Sequence, residues 1–96
     1  MKKHGRIDGN QNDIVKNLRK AGCSVAITSS LGGGFPDLVV GLQGRTYLFE
    51  IKDPTASKAD QQLTMKEFAW HQLWRGQVDV IKSWEEAWEV INKGGK

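Results

Sequence analysis

Two β-prone segments, about residues 37–42 and 45–52, meet across Gln43-Gly44. If that pair forms the centre of a tight turn, Leu42 faces Arg45, and counting outward brings Asp37 opposite Glu50. Directly opposed residues point to the same face of a sheet, with Cβ atoms about 4.5–5.5 Å apart. Lys52, two positions beyond Glu50, points the same way. The other face collects Leu38, Val40, Leu42, Tyr47, Phe49 and Ile51, an apolar layer fit for a core. A bulge at Gly41 would break this register. The hairpin therefore commits one face to burial and gathers two carboxylates and an ammonium at one end of the other. Opposed carboxylates repel, and buried charge is costly unless it is paired or bound to a metal. Two readings follow from spacing alone: a structural salt bridge through Lys52, or a divalent cation held by Asp37 and Glu50. Hard oxygen ligands that leave positions for water suit Mg²⁺ or Mn²⁺.

Around the hairpin the pattern supplies three helices and two more strands. Asn10, with Asp13 three residues on, is placed to cap a helix carrying Ile14, Val15, Leu18 and Ala21, which Gly22 closes. Residues 23–28 read as a strand and 29–34 as a glycine-rich loop. No Gly-Lys-Ser/Thr follows those glycines, which excludes a Walker phosphate loop. Residues 53–63 are polar, contain Pro54 and read as a loop. Thr64 and Glu67 have the form of a capping box opening a helix with Phe68, Trp70, Leu73 and Trp74. Residues 77–81 read as a fourth strand. Ser83 and Glu86 form a second capping box, before a helix whose Trp84, Ala87, Trp88 and Ile91 share one stripe and which Gly94 and Gly95 end. The order is α-β-β-β-α-β-α, with residues 1–9 a flexible basic arm and 10–93 a single domain. The four tryptophans are expected in the core, ahead of a role in base stacking.

Composition narrows the setting. The chain has 96 residues with 39% hydrophobic content, and no apolar run approaches the ~20 residues of a membrane span. One cysteine, Cys23, excludes an internal disulfide and a cysteine-based zinc site, and is expected to be a small core residue in a reducing, cytoplasmic setting. Net charge is +3, with six Lys/Arg against two Asp among residues 1–20. Such a basic end permits phosphate binding without demanding it.

Pro36-Asp37 followed by Glu50-Ile51-Lys52 resembles the Pro-Asp…(Asp/Glu)-x-Lys pattern of the PD-(D/E)XK nuclease superfamily. The flanking GGGFPDLVVGLQGRTYLFEIKD and WHQLWRGQVDVIKSWEEAWEVI look like the stand-alone VRR-Nuc domain of phage and bacterial proteins, a resemblance covering about residues 8–92. It implies an α/β, restriction-endonuclease-like αβββαβ core with a mixed four-stranded sheet flanked by helices in three layers. It further implies Asp37, Glu50 and the backbone carbonyl of Ile51 as metal ligands, and Lys52 as the catalytic lysine. A glutamate of the first helix that often completes the site is matched here by Gln11, which bears no charge for a second metal. The Gln-x-x-x-Tyr pair of the following helix is matched by Glu67 and His71. Glu67 has a bland alternative as a helix cap, and His71 as a half-buried histidine between tryptophans.

The implied activity is a Mg²⁺- or Mn²⁺-dependent, structure-specific DNA endonuclease. It would be a homodimer, resolvase-like on four-way junctions, with Leu31 and Phe35 as candidates for the interface. The rivals are a flap or duplex nuclease, a catalytically idle DNA-binding module, and a protein whose charged face is purely structural.

Overall fold

The computed structural model describes residues 9–94, so the basic arm lies outside the described residues apart from Gly9, as does Gly95. The elements run α1 (Gln11–Lys20), β1 (Ser24–Ile27), β2 (Leu38–Leu42), β3 (Arg45–Ile51), α2 (Met65–Leu73), β4 (Asp79–Ile81) and α3 (Trp84–Gly94). The strands form one mixed sheet in the order β1-β2-β3-β4, antiparallel except for the parallel β3–β4 pair.

The hairpin keeps the register expected of it. Gln43 and Gly44 take positive φ (52° and 79°), as a twisted two-residue turn requires. Leu42 then pairs with Arg45 and Leu38 with Phe49, and Gly41 lies in regular pairing with Thr46, with no bulge. Leu38, Val40, Tyr47, Phe49 and Ile51 are buried in the core with Ile81 of β4, Ile14, Val15 and Leu18 of α1, and Ala87 and Ile91 of α3. Trp84 and Trp88 pack against the edge of this cluster. Cys23 is buried within it, and burial pushes its thiol pKa up, the behaviour of an inert core thiol. Helix α1 ends in a Schellman arrangement, with Cys23 N–H donating to Leu18 O and Gly22 N–H to Arg19 O.

Several sequence expectations need correction. Asn10 precedes α1, but its side chain makes no cap bond. Its amide instead donates to the carbonyls of Lys52 (3.2 Å) and Lys82 (2.9 Å), tying the start of α1 to the ends of β3 and β4. Strand β4 starts at Asp79, not residue 77, because the side chain of Gln77 takes over the ladder. Its Oε1 accepts from Leu48 N–H at 2.7 Å and its Nε2 donates to Leu48 O at 2.9 Å. Ser83 accepts from Glu86 N–H, but the return bond of the expected box goes from Lys82 N–H to Glu86 Oε1.

The largest departure is α2. None of its residues is buried, so it adds no third core layer. Trp70 is only half-buried and Trp74 is exposed, which removes both from the expected core. The helix is instead attached at its first turn. Thr64 and Glu67 form the full capping box, Phe35 meets Trp70 edge-on at 5.3 Å, and Gly34 (φ +86°) lies against the Lys66 carbonyl so closely that no Cβ would fit.

Candidate functional site

The two carboxylates, the lysine and the capping glutamate meet where the β2–β3 hairpin opens. Past Leu38–Phe49 the ladder departs from simple pairing. Asp37 N–H donates to the Phe49 carbonyl at 2.9 Å, and Asp37 Oδ2 accepts from Ile51 N–H at 2.8 Å. The Asp37 carbonyl in turn accepts from Thr28 N–H (2.8 Å), and Thr28 Oγ1 donates to Pro36 O (2.7 Å). Asp37 is thereby fixed from both neighbouring strands, with its carboxylate turned across the end of β3.

Glu50 and Lys52 lie beside it, 2% and 6% exposed. Alternation along β3 explains the placement: Phe49 and Ile51 fill the core, and Glu50 and Lys52 are turned to the opposite face. Lys52 Nζ donates to Glu67 Oε1 at 2.9 Å and stands 3.8 Å from Glu50 Oε2. The same Glu67 Oε1 accepts from Thr64 N–H at 2.9 Å, so Glu67 both caps α2 and holds the lysine.

The electrostatics of the pair are lopsided. Burial, then the charges of Asp37 and Glu67, and a hydrogen bond shared with Glu67 push the Glu50 carboxyl up to about 10, against a partial offset from Lys52. Glu67 goes the other way. Burial works against its ionisation, but the bonds from Lys52, Thr64 N–H and Glu50 outweigh it and lower its pKa. Without a further cation, Glu50 is therefore a neutral acid at pH 7 and Glu67 the counter-ion of Lys52.

Four buried side-chain polar atoms have no hydrogen-bond partner among the described residues: Asn10 Oδ1, Gln11 Oε1, Glu50 Oε1 and His71 Nε2. Buried orphans are few in native structures and each calls for an explanation. Their residues border the elements that carry the site. Asn10 bonds to Lys52 O, and Gln11, 1% exposed, donates to Ser29 Oγ (3.3 Å) next to Thr28. His71 lies one turn beyond Glu67, and its pKa is lowered by burial and by Lys52 against the pull of Glu67.

Asp37, Glu50, Lys52 and Glu67 are thus brought together, with His71 within reach of the Glu67 and Lys52 charges, while Gln11 is joined to Ser29 instead. Glu50 feels the charges of both Asp37 and Glu67. Among the described residues, however, no three His, Cys, Asp or Glu side chains form a group that could hold a metal ion. A cation here would draw on the Asp37–Glu50 pair, and Glu50 Oε1, an oxygen that meets no donor, fits a hard divalent ion. Leu31 is exposed, but Phe35 is engaged with Trp70 and is not a spare apolar residue. Sequence reasoning missed the part played by Asn10, because a residue fit to cap a helix gives no sign that tertiary carbonyls will claim its amide. Comparison with family models, curated proteins and solved structures returned no match to the chain.

Proposed function

We propose that this chain is a divalent-metal-dependent DNA endonuclease of the VRR-Nuc type, built on a restriction-endonuclease-like core and hydrolysing phosphodiesters. The observation that supports it is the pairing of half-buried Asp37 with buried Glu50, with Glu50 Oε1 facing no donor and Lys52 Nζ 3.8 Å from its other oxygen. Such a pair is costly to keep apart from a cation and gains most from one. Asp37, Glu50 and the Ile51 carbonyl would hold Mg²⁺ or Mn²⁺, which supplies a polarised phosphoryl oxygen and a more acidic bound water.

The chain's own residues do the rest. Glu67 fixes the Lys52 ammonium beside the carboxylates, where it orients the attacking water and offsets the charge that grows on the phosphoryl oxygens. Glu50, whose carboxyl is raised without a cation, would have to release its proton to serve as a ligand, so cation binding would be linked to pH. His71 and Gln11 are accessory groups that turn an uncharged nitrogen and an amide oxygen toward ordered water.

The substrate in this reading is branched DNA such as a four-way junction, met by a homodimer in the cytoplasm of a bacterium or a phage-infected cell. Among the described residues no helix is long and apolar enough to cross a membrane, and the lone cysteine is buried and unpaired. A second reading has an observation of its own: the Lys52–Glu67 bond makes a complete ion pair without any metal. Incubating the protein with four-way junction, flap, nicked and plain duplex DNA, each with Mg²⁺ or Mn²⁺, separates the two. Cleavage of any of them supports the nuclease. No cleavage, together with no metal binding by calorimetry, leaves the charged face purely structural.

A further inference from the structure

Glu67, Trp70 and His71 are spaced to share one face of α2, which begins at the partner of Lys52, and Trp74 follows as the C-cap of the helix. Along it stands an ordered stack of rings. Phe35 meets Trp70 edge-on, and Trp70 lies nearly parallel to Trp74 (20°) with centroids 4.8 Å apart. The Trp74 indole is pinned from two further directions. Its N–H donates to Gln77 O at 3.1 Å, and Gly76 approaches so closely that a Cβ there would come 3.0 Å from Nε1.

A ring fixed this firmly is nevertheless 42% exposed, and it supports no core. Rigid, exposed aromatics beside cations are what single-stranded nucleic acid binds, because every base has a π-face to stack on. The charges fit that occupant. Lys66 and Arg75 are exposed on α2 and just beyond it, and the one acidic residue of α2, Glu67, is already engaged by Lys52. A second copy of this surface would set Lys66 and Arg75 against themselves, whereas a phosphate backbone is attracted to them.

We propose that Trp74, backed by Trp70, is a stacking platform for an unpaired DNA base next to the scissile phosphate. The substrate must then offer at least one unpaired nucleotide at the site, as flaps and single strands do, as a four-way junction does where its central pairs open, and as plain duplex does not. The position of the scissile bond rests on the nuclease reading above; the stacking does not.

The test is titration of the protein with oligodeoxythymidine and with plain duplex in EDTA, following tryptophan emission and the anisotropy of a labelled strand. The single strand should quench emission and bind more tightly than duplex. Trp74→Ala should weaken that binding roughly 5- to 150-fold, as expected for a lost stacking contact of about 1–3 kcal/mol. Trp74→Phe, which keeps a ring, should retain most of the affinity, and circular dichroism should show α2 intact in at least this variant. Absence of quenching in the parent, or equal affinity in all three proteins, overturns the proposal. So does light scattering in which Trp74→Ala turns a dimer into a monomer with single-strand affinity unchanged, which would make the stack a seam between copies. Because binding is read in EDTA, Trp74-dependent binding without cleavage in Mg²⁺ would remove the nuclease and keep the platform. Cleavage without Trp74-dependent binding would do the reverse.

Discussion

Lys52 sits between two carboxylates of opposite character, one neutral through burial and one ionised through its bonds. If its charge serves the transition state, Lys52→Ala should slow cleavage by ~10²-fold or more, as loss of an electrostatic stabiliser does. Cation binding, followed by calorimetry, should survive because lysine is not a ligand. Glu50 makes the complementary case. Its carboxyl is raised from 4.5 to about 10 in the folded protein, so between those values the folded state binds more protons than the unfolded one. Metal-free stability should therefore fall as pH rises through that window. Glu67, with its lowered pKa, contributes in the opposite sense: its stabilisation is present above the ordinary carboxylate range and lost as pH falls below it. Glu50→Gln, which stays neutral in both states, should hold or raise metal-free stability at pH 7 and flatten the decline across that window, while weakening cation binding. Urea unfolding in EDTA across pH measures this, and an unchanged slope would refute the neutral state of Glu50. Asp37 is less replaceable, since its carboxylate holds Ile51 N–H and not only a ligand position.

Helix α2 carries none of the core, so its attachment rests on a few contacts, chiefly at its first turn and through Trp70, and Gly34 is the one with least room to give. Alanine at 34 would meet the Lys66 carbonyl and also force a side chain into positive φ, which by itself costs about 1–2 kcal/mol. Gly34→Ala should therefore displace α2, break the Lys52–Glu67 bond and lower activity well beyond its effect on thermal stability. Equal activity at equal fold content would show that α2 does not position the lysine. The hairpin was legible in the sequence because a period of two and a Gln43-Gly44 turn leave one register that buries Leu38, Val40, Phe49 and Ile51 together. The Thr64–Glu67 box was legible for the same reason: it is local chemistry. The exposure of Trp70 and Trp74 was not. Spacing says which residues share a helix face but not whether any other element covers it. The early end of the β4 ladder was hidden too, since an amide side chain imitating backbone leaves no periodic mark.

At the scale of the molecule, the reading predicts a two-fold symmetric dimer that nicks opposing strands of a four-way junction at symmetry-related positions. A closed two-fold pair is the commonest small oligomer and would present two copies of Asp37, Glu50 and Lys52 to a substrate that is itself nearly two-fold. Leu31, 64% exposed, remains available to the interface that Phe35 has left. Light scattering at micromolar concentration and mapping of cuts on both strands check this. A monomer at every concentration, or cuts confined to one strand, would leave a flap or duplex nuclease. The amide of Asn10 has a consequence on a different axis, that of time. It joins α1 to Lys52 and to Lys82, closing the parallel strand pair behind the carboxylates across almost the whole described chain. A nascent chain that has left the ribosome as far as α2 already carries Asp37, Glu50, Lys52 and Glu67, yet lacks the strand that walls them in. In the nuclease reading the site is therefore completed only once β4 has emerged, and no fragment ending before β4 should cut.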